Sequence, residues 1–384
     1  MMSVLPVLLW SDALLFLLLA GVLALLWGAR RQDWLRTPWR LVWRTPVGRG
    51  SALVLAAFLL VGLLDSLHYR ERLPDLPGQA PQYSGEVLSA LDWLTTPLRL
   101  NQEKTYSAPL ATHLYAKESM KHTDGREVRD FPPLKHPGSH LLGTDKVGQD
   151  VLYLSLKAIR TGLLIGTLTT LIALPFALGL GLAAGYFGGW VDDVIQYLYT
   201  TLNAIPGVLL IAAAVLVVQV QIEAHAEAFD TAAARADVRL LALCAIMGLT
   251  GWTGLARLLR GEALKLRELE FVQAAHAFGV RHAQILTRHL LPNVMHLILI
   301  SVVIDFSGLV LAEAVLSYVG VGVDPATNSF GNMINGARLE LAREPVVWWQ
   351  LAAAFSFMFV LVLAANLFAD AVRKALDPKS EKPI

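Results

Sequence analysis

Cysteine is almost absent: of 384 residues only Cys244 is one, and it lies inside an apolar run, so no internal disulfide holds the fold. Charge is scarce too. Asp, Glu, Lys and Arg make up 16% of the chain, where a soluble domain carries roughly a quarter. The net charge of +1 excludes a strongly basic nucleic-acid binder, because such binding needs Lys and Arg clustered against phosphates. Enzyme signatures are missing as well. There is no His-Glu-x-x-His to seat a catalytic zinc. "GTDKVGQD" spaces Gly143 and Gly148 like a phosphate loop but lacks the Lys-Ser/Thr pair that reaches phosphates and magnesium. "GLGLAAGYFGG" is no dinucleotide fingerprint, since Ala184 stands at the third glycine position. Gly181, Gly185 and Gly189, four residues apart, suit close helix packing instead. His136 and His140 flank "PGS", whose Pro137 and Gly138 oppose a turn that would aim both rings at one ion, so an ordinary solvated loop is expected there. No nucleophile–base pair presents itself. The chain is expected to be no enzyme and to bind no metal or cofactor of its own.

What is present in abundance is apolar sequence, 55% of all residues. A helix needs about 20 mostly apolar residues to cross the hydrocarbon core. Seven runs qualify: 4–27, 50–67, 161–186, 204–221, 239–257, 294–322 and 346–370. The fold class is therefore an all-α integral membrane protein. The second run is the shortest, because Asp65 interrupts it. The first opens without a positive stretch, unlike a signal peptide that is cleaved.

Loop charge orients the spans. Segment 28–49 holds Arg30, Arg31, Arg36, Arg40, Arg44 and Arg49 against Asp33 alone, and short loops rich in Lys and Arg stay in the cytoplasm. Alternation then places 68–160, 222–238 and 323–345 outside. Loop 187–203, the segment between spans five and six and the tail fall inside. Arg257, Arg260, Lys265 and Arg267 flank that intracellular segment, and Arg373, Lys374, Lys379 and Lys382 crowd the tail against Asp377 and Glu381. The amino terminus is expected outside and the carboxyl terminus in the cytoplasm. The exterior loop 68–160, with Pro74, Pro77, Pro81, Pro132, Pro133 and Pro137, is expected to be a small subdomain or irregular chain.

The intracellular segment "ELEFVQAAHAFGVRHAQILTRHLLPNV" is amphipathic. Phe271, Ala275 and Phe278 recur at i, i+4 and i+7, the stripe of a short helix, widened by Leu269 and Val272. Gly279 is free to end it at positive φ. A second helix runs through "RHAQILTRHLL" until Pro292 closes it or opens the next span. Ala274 and Ala275 would let a partner backbone come close, and His276, His282 and His289 decorate the segment. Two readings stand: an interfacial helix on lipid, or a docking helix for a partner's groove, tied at both ends to membrane spans.

Here the pattern becomes specific. Ala-Ala, Gly279, about ten residues, then Leu-Pro resembles the cytoplasmic "EAA" loop of permease subunits of ABC importers. Within them the chain resembles the second permease of dipeptide, oligopeptide and nickel importers. "HLLGTDKVGQDVL" (140–152), "AAGYFGGWVDD" (183–193), "LAEAVLSYVGVGVDPATNSFGNM" (311–333) and "ADAVRKALDP" (369–378) follow that family's elements in order. Gln273 stands where the loop's name has Glu, Gln149 where Arg is usual, and Phe330 where Trp is usual.

The resemblance implies a five-helix type I permease core. The expected division is two N-terminal spans over 1–67, the exterior region 68–160, a permease domain over 161–372 with coupling segment 262–293, and a cytoplasmic tail 373–384. It implies coupling to the ATPase through Phe271, Gln273, Ala274, Ala275, Gly279, Leu290, Pro292 and Asn293. It also implies a bacterial inner membrane location and four kinds of partner: a second permease subunit, two ATP-binding cassette subunits that hold ATP and magnesium, an external substrate-binding protein, and a peptide substrate. Nickel, a metal chelate or an antimicrobial peptide is the alternative cargo. A proton-coupled secondary transporter is the rival class, though such folds often carry internal repeats and none is seen here.

Asp305 and Glu313 lie within the sixth run, eight residues and so about 80° apart around a helix. Ionisable groups at membrane depth face a cavity or a partner. Either they line the translocation path or gate, meeting a peptide's ammonium group, or neighbouring helices hold them by hydrogen bonds. Asp12 in the first run has no evident partner.

Overall fold

A computed structural model of the chain describes residues 4–29, 33–74, 82–121, 127–229 and 231–376. Arg30, Arg31, Pro77, Pro81 and the tail residues Asp377, Lys379, Glu381 and Lys382 lie outside the described residues.

The chain opens as a strand, β1 (Val4–Val7), before helix α1 (Trp10–Ala29) begins. The first expected span therefore starts six residues later than its apolar run. β1 pairs antiparallel with β2 (His68–Glu71), Val7 opposite His68, and β2 in turn pairs with β3 (Leu88–Ser89). α1 has 20 residues, reaching about 30 Å at 1.5 Å per residue, the thickness of a hydrocarbon core. The described residues 33–49 are largely helical: α2 (Asp33–Arg44) turns at Thr45 into α3 (Pro46–Asp65). Thr45 Oγ1 accepts from Gly48 N–H at 3.1 Å and Pro46 takes the first helical position, where its missing N–H costs nothing.

The described residues of region 68–150 are folded. α4 (Ala90–Leu94) and α5 (Thr96–Leu100) lead to a hairpin of β4 (Glu118–Lys121) and β5 (Glu127–Asp130). Tyr106 and Leu114 in this region are buried, and Tyr106 and Tyr115 set their rings edge-on to Trp349. Its last ten expected residues belong instead to α6 (Val151–Phe187), because Asp150 accepts from the N–H groups of Leu152 and Tyr153 and starts the helix early. α7 (Gly189–Ala204) and α8 (Gly207–Ala224) follow.

α9 (Ala232–Gly251) and α10 (Thr253–Leu266) together exceed the expected 239–257 at both ends. α11 (Glu270–Ala277) and α12 (His282–Ile285) precede α13 (Leu291–Val319), which Gly320 ends at φ +88°. α14 (Phe330–Arg338) and α15 (Trp349–Leu376) complete the chain.

Among the described residues six helical segments are long and apolar enough to cross a membrane: 46–65, 151–187, 207–224, 232–267, 282–319 and 349–375. α1, whose shorter apolar stretch is Trp10–Gly21, accounts for the seventh run. α6 is the central post. One cluster near its loop end gathers Val151, Ala158, Phe330, Trp349 and Leu361. Another, at its far end, gathers Ala177, Leu182, Ala256, Leu259 and Ala263. There Gly181 and Gly185 are needed: a Cβ on Gly181 would stand 2.7 Å from the carbonyl of Ala256, and one on Gly185 2.5 Å from that of Arg260. Small residues let the two backbones meet, the packing mode of membrane helices. Gly189 departs from the expected stripe. It begins α7 at φ +50° with no neighbour within 4 Å, because Gly188 breaks the helix before it.

Candidate functional site

The far end of the bundle carries the elbow. α11 leaves α10 through Arg267–Leu269 and stops at Phe278; Gly279 reverses the chain at φ +72°. The stripe read from spacing divides in space. Val272 and Ala275 turn inward with Ile285, Leu290 and Val294 onto the Leu259–Ala263 cluster. Phe271 is 43% exposed and Phe278 87%. Tertiary packing chose the i, i+3 pair Val272–Ala275, which joins the buried cluster shared by several helices. Gln273 and Ala274 are exposed, and Gln273 Nε2 donates back to the carbonyl of Glu268 at 3.1 Å.

The second arm is not a separate helix. From His282 the chain runs without a break into α13 through one wide π turn at Leu286–Leu290. Pro292 sits at the start of α13; its ring and missing N–H disfavour the ordinary bond to residue 288, and a π turn accommodates such a site. Asn293 Nδ2 donates to the carbonyl of His289 at 2.6 Å. Whatever presses on Phe278 therefore meets an arm continuous with a membrane helix.

Three contacts brace the base. The hydroxyl of Tyr186, at the end of α6, is 2.8 Å from His282 Nδ1. Arg260 grips Asp192 of α7 with two bonds, Nε to Oδ1 at 2.5 Å and Nη2 to Oδ2 at 2.7 Å. Those bonds hold the Asp192 carboxyl below its ordinary range. Arg267 Nη1 reaches the carbonyl of Gly185 at 3.5 Å. Sequence reasoning missed all three, since each joins residues about 70 to 100 positions apart. Of the histidines, His276 and His282 are exposed with ring centroids 5.5 Å apart.

The carboxylates in α13 part company. Glu313 is 1% exposed, and its Oε1 accepts from the hydroxyls of Ser317 at 2.7 Å and Ser329 at 2.9 Å. It fastens the start of α14 to α13. Asp305 lies on the open flank, near Ile304, Leu311 and Val315, all exposed. No hydrogen bond or ion pair reaches its carboxylate among the described residues.

At the opposite end, His140 is buried rather than solvated. Its Nδ1 is 2.9 Å from Asp150 Oδ2 and its Nε2 3.7 Å from Glu103 Oε1. Glu103 also accepts from the N–H groups of Lys135 and His136. The loop is thereby pinned to the helix start that Asp150 caps.

The sequence profile of the "Binding-protein-dependent transport system inner membrane component" family matches residues 177–382, more than half of the chain and all of the elbow. The chain belongs to this family. It is thus a multi-pass inner membrane permease of an ABC importer. Among curated relatives, the oligopeptide transport system permease protein OppC of Mycobacterium tuberculosis is 31% identical over 248 residues, 64% of this chain and 79% of that protein. The dipeptide transport system permease protein DppC of Alkalihalophilus pseudofirmus is 32% identical over 240 residues, 62% of this chain and 72% of that protein. Among solved structures, an inward-facing form of the MetNI methionine ABC transporter covers 59% of this chain and 98% of its own at TM-score 0.45 and 16% identity.

Proposed function

We propose that this permease carries peptides across the inner membrane and that separate ATPase subunits drive it through the elbow. The observation that carries the reading is Phe278: an aromatic ring 87% exposed, held at a glycine bend whose two arms are anchored by Val272, Ala275, Ile285 and Leu290. Buried aromatic anchors dominate protein interfaces, and this one projects from a braced base. In the proposed machine the elbow faces the cytoplasm, the amino terminus and region 68–150 face outward, and a second permease completes the path. Two ATP-binding cassette subunits hold ATP and magnesium, and an external binding protein delivers cargo. ATP-driven closure of the cassettes pushes α11, and α13 turns with it.

Asp305 faces that path or the second permease, because a carboxylate at mid-membrane is costly against lipid. The names of the OppC and DppC relatives support a peptide cargo. The test is uptake by vesicles holding the complete complex, with labelled dipeptide competed by longer peptides and by nickel. Competition by peptides alone is expected. Competition by nickel alone would transfer the cargo to metal, and uptake in vesicles without ATPase subunits would overturn the coupling.

A further inference from the structure

The corner between α2 and α3 lies outside the family match at 177–382, and its charges have no use in the mechanism above. Arg40 and Arg44 are one helical turn apart on α2, and Arg49 follows in the first turn of α3. All three are exposed, and among the described residues none of their guanidinium groups has a hydrogen bond or ion pair. Trp39 and Trp43 stand beside them, 37% and 56% exposed.

The corner itself is rigid. Val42 is 2% exposed, Thr45 Oγ1 donates to its carbonyl at 2.9 Å, and Trp39 stacks obliquely on Phe368 of α15 at 6.3 Å. α3 enters the membrane from this corner, so the corner sits at a bilayer surface. Indole rings favour that depth, and a guanidinium pairs with phosphate through two parallel bonds.

We propose that the α2–α3 corner is a binding site for anionic phospholipid headgroups, with Arg40, Arg44 and Arg49 holding phosphate and Trp39 and Trp43 seated among the glycerol groups. The occupant is lipid rather than a soluble anion, because the aromatic pair and the adjoining span present the bases at the membrane. Through Trp39 and Phe368 the bound lipid also steadies α15. The site does not depend on which cargo the permease carries.

The test uses the full chain in neutral detergent, titrated with phosphatidylglycerol or phosphatidylcholine and read by native mass spectrometry. Wild type is expected to bind phosphatidylglycerol about tenfold more tightly, since bases near a membrane surface attract anionic headgroups. R40Q/R44Q/R49Q should bring the two lipids level, while R40K/R44K/R49K should keep most of the preference. Should the triple glutamine variant fail to accumulate, the single variants R40Q, R44Q and R49Q read the same effect, each as a partial loss. Inorganic phosphate at matched ionic strength should not displace the lipid. Equal affinities in wild type, a preference that survives every glutamine variant, or displacement by phosphate would each overturn the assignment.

Discussion

Arg160 Nη2 stands 2.6 Å from Asp12 Oδ1, joining the first helix of the chain to its central post across 148 positions of sequence. The pair is enclosed. Ser11 Oγ accepts from the same nitrogen, Ser66 Oγ accepts from Nε, and His68 Nδ1 lies 2.8 Å from the other Asp12 oxygen. Ser11 N–H donates to Asp237 on α9. The amino-terminal helix is thus stapled to two helices of the permease core.

Breaking that staple on one side leaves a buried charge alone, a change that costs about 3–5 kcal/mol in proteins. Asp12→Asn is expected to lower the thermal unfolding midpoint of the purified chain clearly, whereas a well-packed Asp12→Leu/Arg160→Met double variant recovers much of it. A midpoint unchanged in Asp12→Asn would show the staple to be idle.

The elbow invites a backbone test. At Gly279 no atom stands within 4 Å of an added Cβ, so space is free and only φ +72° opposes a side chain. Gly279→Val should cost about 1–2 kcal/mol locally, leave the protein in the membrane, and uncouple ATP hydrolysis from uptake. Phe278→Ala should weaken co-purification of the ATPase subunits at least tenfold, since a truncated interface anchor loses 2 kcal/mol or more. Normal uptake and normal co-purification in both variants would remove the lever.

Glu313 and Asp305 are separated by isosteric substitution. Glu313→Gln keeps an oxygen for Ser317 and Ser329, and near-normal uptake is expected. Glu313→Ala strands those donors in the interior, at about 1–3 kcal/mol for a buried group, and should lower both stability and uptake. Asp305→Asn should leave stability within about 0.5 kcal/mol while altering the uptake ratio of cationic to neutral peptides. Stability lost in Asp305→Asn, with the uptake ratio intact, would reverse the two roles.

Acid should loosen the loop end of the bundle. Burial pushes the Asp92 carboxyl upward, but the Lys157 ammonium, 3.0 Å away, and hydrogen bonds from Tyr153 and Ser89 outweigh it and leave it below its ordinary range. A depressed carboxylate stabilises the fold fully above its unfolded value, about 3.9, and that contribution fades as pH falls through the lower folded value. Between pH 6 and pH 3 the unfolding midpoint of wild type should drop further than that of Asp92→Asn. Parallel curves would show that the cluster contributes nothing to acid stability.

How much of this was legible beforehand follows from what is local. Among the described residues, apolar runs marked all six segments long and apolar enough to cross a membrane, because the need for about 20 apolar residues is a property of a continuous segment. Gly279 and Pro292 were readable as punctuation for the same reason. Helix ends were less legible: α6 begins at Val151 since Asp150 caps it, and no hydropathy window registers a cap. The stripe at Phe271, Ala275 and Phe278 followed ideal spacing, yet which part of it turned inward depended on how the neighbouring helices packed.

The amino-acid order alone, then, determined that this is a helical membrane permease with an amphipathic elbow, since periodicity, length and motif order are carried by neighbours in the chain. Only the tertiary structure decided which charges serve as ties. Asp12 found Arg160, Asp192 found Arg260, and Glu313 turned toward Ser329 while Asp305 stayed open. Those outcomes rest on distances between helices, and packing sets such distances long after the local pattern has been spent.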